Sequence, residues 1–125
     1  MKIYTGYFSN YGKYLKKGLY PISIALSTPL GIKINNLKML NPTWDILNQY
    51  KHGCGNEDIY TSRYNNEILG KLDATDVVNK LNDLSNSQDV ILLCYEHPKN
   101  FCHRQLVAKW LQNNGYECTE YYFDE

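Results

Sequence analysis

The stretch Cys94-Tyr-Glu96-His97-Pro-Lys99-Asn-Phe-Cys102-His103-Arg104 gathers two thiols, a carboxylate, two imidazoles and two cations. In a strand that ends near Glu96, alternation puts Val90, Leu92, Cys94 and Glu96 on one face, so a carboxylate emerges at the strand's mouth beside a buried thiol. In a helix that begins near Phe101, His103 leads the apolar stripe Leu106, Val107, Trp110 and Leu111, which tips its ring toward the sheet edge with Arg104 beside it. Such a set holds an anion bidentately and moves a proton. Arg104 and Lys99 are therefore expected to bind ligand, and Glu96 and His103 to carry proton chemistry. Cys102, at a helix N-terminus next to a guanidinium, is a candidate nucleophile. The spacing is not that of Cys-x5-Arg phosphatases: the sixth residue after Cys94 is Asn100, and a single residue separates Cys102 from Arg104. The same residues admit a structural reading, with Glu96 and Arg104 as an ion pair locking the loop, His103 satisfying a backbone carbonyl, and Cys94 and Cys102 as small core residues.

A second constellation is Tyr60 and Tyr64, four residues apart with Arg63 between them. On a helix they share a face and make a stacking wall for a base, or else a core stripe whose hydroxyls reach the surface. Trp44 and Trp110 read as core anchors. Soft ligands stand at His52, Cys54, Cys102 and His103, but no CxxC or HxxxH pair is present, so neither a metal nor a cofactor is expected. All four cysteines are expected as thiols. No glycine-rich cradle marks a P-loop or a dinucleotide site.

The elements that position these groups follow from periodicity and punctuation. Strands are expected over 2–8, 20–26, 89–96 and 116–123. The third, DVILLCYE, is an unbroken apolar run suited to a central parallel strand covered on both faces. A short helix runs through Tyr14 to Lys17 after Ser9 and Asn10. Asn41 and Pro42 supply a cap and a first-turn proline for a helix through Trp44 and Tyr50, Asn56 caps a helix from 57 to about 69, and Asp73 opens a helix with the stripe Val77, Val78, Leu81 and Leu84. Residues 30–40 read as irregular. The alternation implies a small three-layer α/β sandwich, Rossmann-like, with a mostly parallel sheet and a helical middle segment, as one domain over 1–125. In such sheets ligands sit beyond the carboxyl ends of the strands. Ser9 follows the first strand, and Ser27 and Thr28 follow the second, so these too are candidate ligand-binding residues.

Thirteen Lys and Arg balance thirteen Asp and Glu, giving zero formal net charge. A broad basic face that grips duplex by counterion release is excluded by that balance, whereas a local cluster for a compact anion is not. No run approaches the roughly twenty apolar residues of a membrane span and no signal peptide is evident, so a cytoplasmic protein without membrane contact is expected. An unprotected edge over 116–123 suits a homodimer.

The run CYEHPKNFCHRQLVAKWL, together with IYTGYFSNY, PISIALSTP, the Trp44 segment, the Tyr60/Tyr64 helix and Glu120, resembles the family called domain of unknown function 488, in particular its short subgroup from phages and Firmicutes. The resemblance implies a compact α/β fold with a pocket built on Glu96, Cys102, His103 and Arg104, and it supplies no reaction. The commoner, larger members begin with a Gly-His-Ser turn and carry Asp-x-Arg after the second strand, where this chain reads Gly6-Tyr7-Phe8-Ser9 and Leu26-Ser27-Thr28. The expected function is binding of a small anionic ligand of nucleotide or nucleoside type, with hydrolase or transferase chemistry. The alternatives are a phage counter-defence protein that sequesters a nucleotide signal without turnover, and an interaction module whose cluster is structural.

Overall fold

A computed structural model describes residues 1–52, 56–96 and 100–123. Its centre is a five-stranded sheet in which every pairing is parallel. The strands are β1 (Ile3–Tyr7), β2 (Tyr20–Ser23), β3 (Asn35–Asn36), β4 (Val90–Cys94) and β5 (Cys118–Glu120), in the order β3-β2-β4-β1-β5. The apolar run Val90–Cys94 is buried at every position, as its sequence requires of a strand with neighbours on both edges and cover on both faces. The α/β sandwich is thus the observed architecture, with all strands parallel.

Among the described residues five α-helices cover the sheet: α1 (Tyr11–Lys16), α2 (Trp44–Lys51), α3 (Glu57–Glu67), α4 (Ala74–Ser85) and α5 (His103–Asn113). Two core clusters divide by strand alternation. Val90 and Leu92 pack with Ile22, Val77, Leu81, Val107 and Leu111 under α3, α4 and α5. Ile91 and Leu93 face the other way, toward Tyr14 of α1 and Phe8. The tail after β5 completes that second layer, where Phe123 stacks on Tyr14 at 5.5 Å between ring centroids. Among the described residues no helix is long and apolar enough to cross a membrane.

The caps explain where helices begin. The Asn56 side chain accepts from Ile59 N and that of Asp73 from Asp76 N, each satisfying a first-turn N–H. At α2 the cap is Thr43, whose hydroxyl accepts from Ile46 N, and not Asn41 with Pro42 in the first turn. A hydroxyl three residues before that N–H reaches it, while Asn41 instead donates to Asn36 Oδ1. The expected irregular segment 30–40 contains β3 and a 3-10 turn at Lys38–Leu40. Pro21 accounts for the brevity of β3. The amides of Tyr20 and Ile24 donate to the carbonyls of Asp89, just before β4, and Leu93 within it, so alternation turns position 21 toward β3, where proline has no N–H to give and pairing begins only at Ile22.

Gly6 lies where β1 passes over α1. A Cβ there would sit 2.5 Å from the Tyr14 hydroxyl and 2.8 Å from Ile91 Cδ1, both in fully buried side chains. Gly6→Ala is therefore expected to lower unfolding free energy by about 1–3 kcal/mol through overpacking, read as a lower urea midpoint at unchanged slope.

Candidate functional site

Arg104 is fully buried at the start of α5 and is held from three directions. Its Nε and Nη2 donate to the two carboxylate oxygens of Glu120 at 2.9 and 3.3 Å, and its Nη1 donates to the Glu96 carbonyl at 2.6 Å and to Cys94 Sγ at 3.1 Å. The guanidinium also lies over the Tyr7 ring. Thr5 completes the set by donating its hydroxyl to Glu120 Oε1 at 2.7 Å. The group thus spans the carboxyl ends of β4, β1 and β5. Glu96 contributes its main-chain carbonyl to Arg104, while the carboxylate that pairs with the guanidinium is that of Glu120. The Glu96–Arg104 ion pair of the structural reading is therefore replaced by Glu120–Arg104. The exposed Glu96 remains at the cavity described below.

His103 precedes it and is also buried. Its Nε2 lies 2.6 Å from the carbonyl of Ile24, which accepts only, so Nε2 carries the proton and Nδ1 presents its lone pair toward Cys102 Sγ, 3.8 Å away. Burial holds the imidazole down to about 4, with the Ile24 carbonyl partly opposing and the Arg104 charge adding to the effect. The ring is therefore neutral at neutral pH.

Cys94 and Cys102 are joined by a disulfide, where four thiols are expected from the sequence. The strand end and the N-cap of α5 bring the two together, and a separation of eight residues carries no motif that would announce the pair. A bridged Cys102 has no thiolate with which to attack. Cys118 is a free, buried thiol, and burial followed by the Glu120 charge pushes it up to about 12. Cys54 lies outside the described residues, as do His97 and Lys99, the latter an expected ligand-binding residue.

A cavity of about 240 Å³ opens at the carboxyl ends of β2 and β4, somewhat below the roughly 300–1,000 Å³ usual for small-molecule sites. Its wall is aromatic: Trp44 and Tyr50 from α2, Tyr60 from α3, Tyr95 after β4, and Phe101 before α5. Tyr50, Tyr60 and Phe101 form a mutual cluster with centroids 5.1–5.7 Å apart. The polar lining comes from Ser27, Lys51, Glu96 and His103, with Cys94 and Cys102 beside them. The Ser27 and Tyr95 hydroxyls lie 3.5 Å apart.

The structure thus brings Ser27, Tyr60, Glu96, Cys102 and His103 to one cavity, whereas Arg104 sits behind its wall. Tyr64 is core: its hydroxyl donates to the Leu40 carbonyl at 2.6 Å, and its ring stacks on Tyr60. Burial raises both phenols well above their ordinary range. Ser9 stands apart in a 3-10 turn after β1, and Thr28 lines a separate shallow groove. Arg63 is engaged with Asp45 and Glu67, each at 2.7 Å. Trp44 is 62% exposed and lines the cavity, correcting its reading as a core anchor. Lys51 was not singled out by sequence because a lysine in the last turn of a helix is also simple dipole complementation.

Removing one partner of the Arg104–Glu120 pair leaves the other charge uncompensated. Arg104→Met is expected to cost about 3–5 kcal/mol in equilibrium denaturation, and Arg104→Met with Glu120→Met in the same chain to recover most of that loss in a double-mutant cycle. Cys118 is expected to resist iodoacetamide at about pH 8 in the native protein and to react fully after denaturation, as read by peptide mass mapping.

Comparison with protein-family models gives a match over residues 20–115, to the family described as the active DUF488-N3 subclade. The matched stretch runs from the start of β2 to Gly115, two residues past α5, and covers well over half of the 125 residues. No curated protein and no solved structure matches the chain. The chain belongs to the DUF488 family.

Proposed function

We propose that the protein binds a small anionic ligand of nucleotide or nucleoside type in the cavity at the carboxyl ends of β2 and β4, and acts on it by hydrolase or transferase chemistry. The observation that carries this reading is the pairing of an aromatic wall with a cation at one opening: Trp44, Tyr50, Tyr60 and Phe101 beside Lys51. A base stacks on such rings for about 1–3 kcal/mol each, and an ammonium with the first-turn amides of α5 suits a phosphate. The volume admits a compact ligand and no polymer, consistent with a chain of zero net charge. Glu96 is the acid or base that solvent reaches, and His103 supplies a neutral ring edge. The family description names an active subclade, which favours turnover over simple sequestration.

The test is thermal unfolding against a panel of nucleosides and nucleoside mono-, di- and triphosphates. At least one is expected to stabilise the protein, by about 2.7 kcal/mol at a hundredfold excess over Kd. Trp44→Ala, which removes an exposed side chain, is expected to reduce that shift at the same ligand concentration and leave the unliganded Tm nearly unchanged. An unshifted panel, or a shift that Trp44→Ala leaves intact, defeats the reading. Incubating the protein with the stabilising compound and weighing what is released after denaturation then separates a turned-over product from an unaltered, sequestered ligand.

A further inference from the structure

Cys94, Cys102 and His103 meet at the inner wall of the cavity, all three buried, with their ligating atoms within 4.8 Å of one another. We propose that in the dithiol form these residues hold a zinc-class divalent ion through two thiolate sulfurs and His103 Nδ1, with the fourth coordination position opening on the cavity. Two sulfurs and one imidazole nitrogen suit a borderline-soft tetrahedral ion, and three protein ligands with one open position is the composition of catalytic zinc sites, not of closed structural ones.

Three features of the surroundings support this assignment. The His103 Nε2–H donates to the Ile24 carbonyl at 2.6 Å, which fixes the ring and leaves Nδ1 as the lone pair facing sulfur; metal-ligating histidines are anchored in this way through their second nitrogen. Arg104 Nη1 donates to Cys94 Sγ at 3.1 Å and favours its thiolate. The Cα atoms of Cys94 and Cys102 stand 7.3 Å apart, wider than the about 4.4–6.8 Å usual for a bridged pair, and two metal–sulfur bonds of about 2.3 Å each span the larger gap. The charges also close: two thiolates balance the ion, and Glu120 balances Arg104.

On binding, each cysteine gives its S–H proton to solvent, two metal–sulfur bonds and one metal–nitrogen bond form, and no group changes oxidation state. The bridged pair lacks these lone thiolates, so the ion requires the dithiol, the form that a reducing compartment maintains. Ion binding needs no nucleotide, so this inference goes beyond the ligand reading and stands or falls separately.

The experiment is titration of the full chain with Co²⁺ after reduction by a phosphine and removal of excess reagent under anaerobic conditions. One ion per chain is expected, with thiolate-to-cobalt charge transfer and the intense visible bands of a tetrahedral site, both bleached by Zn²⁺. Cys102→Ser and His103→Gln are expected to lose this signature, and Cys118→Ser, whose thiol lies away from the cavity, to keep it. As a measurement independent of any variant, Zn²⁺ is expected to slow alkylation of Cys94 and Cys102 in the reduced wild type by at least about tenfold relative to Mg²⁺. Absence of the tetrahedral bands in the reduced wild type, their persistence in Cys102→Ser, or equal alkylation with both ions overturns the proposal.

Discussion

A guanidinium with no exposure to water is the constraint around which this molecule is arranged. Arg104 cannot shed its charge, so burial demands that its N–H groups find acceptors and its charge a partner. The fold answers with Glu120 from β5, the Glu96 carbonyl beyond β4 and the sulfur of Cys94. The acceptors come from the end of β4 and from β5, so the interaction fixes α5, the end of β4 and β5 against one another at a single point.

That point is also where an open parallel sheet would ordinarily offer its ligand crevice. After β1 the chain turns to α1 on one face, and after β4 to α5 on the other, so the adjacent strands β1 and β4 part at their carboxyl ends. Here Arg104 fills the parting with the protein's own cation. The open space lies one strand over, above β2 and β4, where α2 and α3 lean their rings over the end of the sheet. Lys51 is the cation among the described residues that lines this space.

The sequence carried the sheet more fully than the site. β4 was legible because five consecutive buried apolar residues have few alternatives, and α3 and α4 because Asn56 and Asp73 stand directly before their helices. β3 was hidden because Asn35-Asn36 has low strand propensity and pairs only where Pro21 permits. Among the site residues, Glu96, Cys102 and His103 do come to one cavity while Arg104 does not, because residue type alone does not distinguish a cation that faces open space from one that meets a carboxylate 16 residues on. Trp44 was misread for a related reason: a tryptophan is large and apolar wherever it stands, and only the turn after Thr43 decides that it faces outward. The approach of Cys94 to Cys102 depends on how a strand end meets a helix cap, which no residue spacing encodes.

The two sides of the cavity differ in kind. Its floor is made of buried, hydrogen-bonded groups: His103 meets the Ile24 carbonyl, Cys94 accepts from Arg104, and each anchor is main chain or a buried charge. Its outer wall carries Trp44 and Lys51, exposed side chains on a two-turn helix. Reacting groups need fixed geometry, because small displacements there cost rate steeply, whereas groups that only cover a ligand tolerate adjustment. On the proposed reading, that contrast suits reacting groups on the β4–α5 side and ligand cover on the α2 side. The family match contains both sides, from residue 20 to 115, but ends before Glu120. The matched segment thus holds the cavity, while the charge that fixes its floor arrives from the strand that follows.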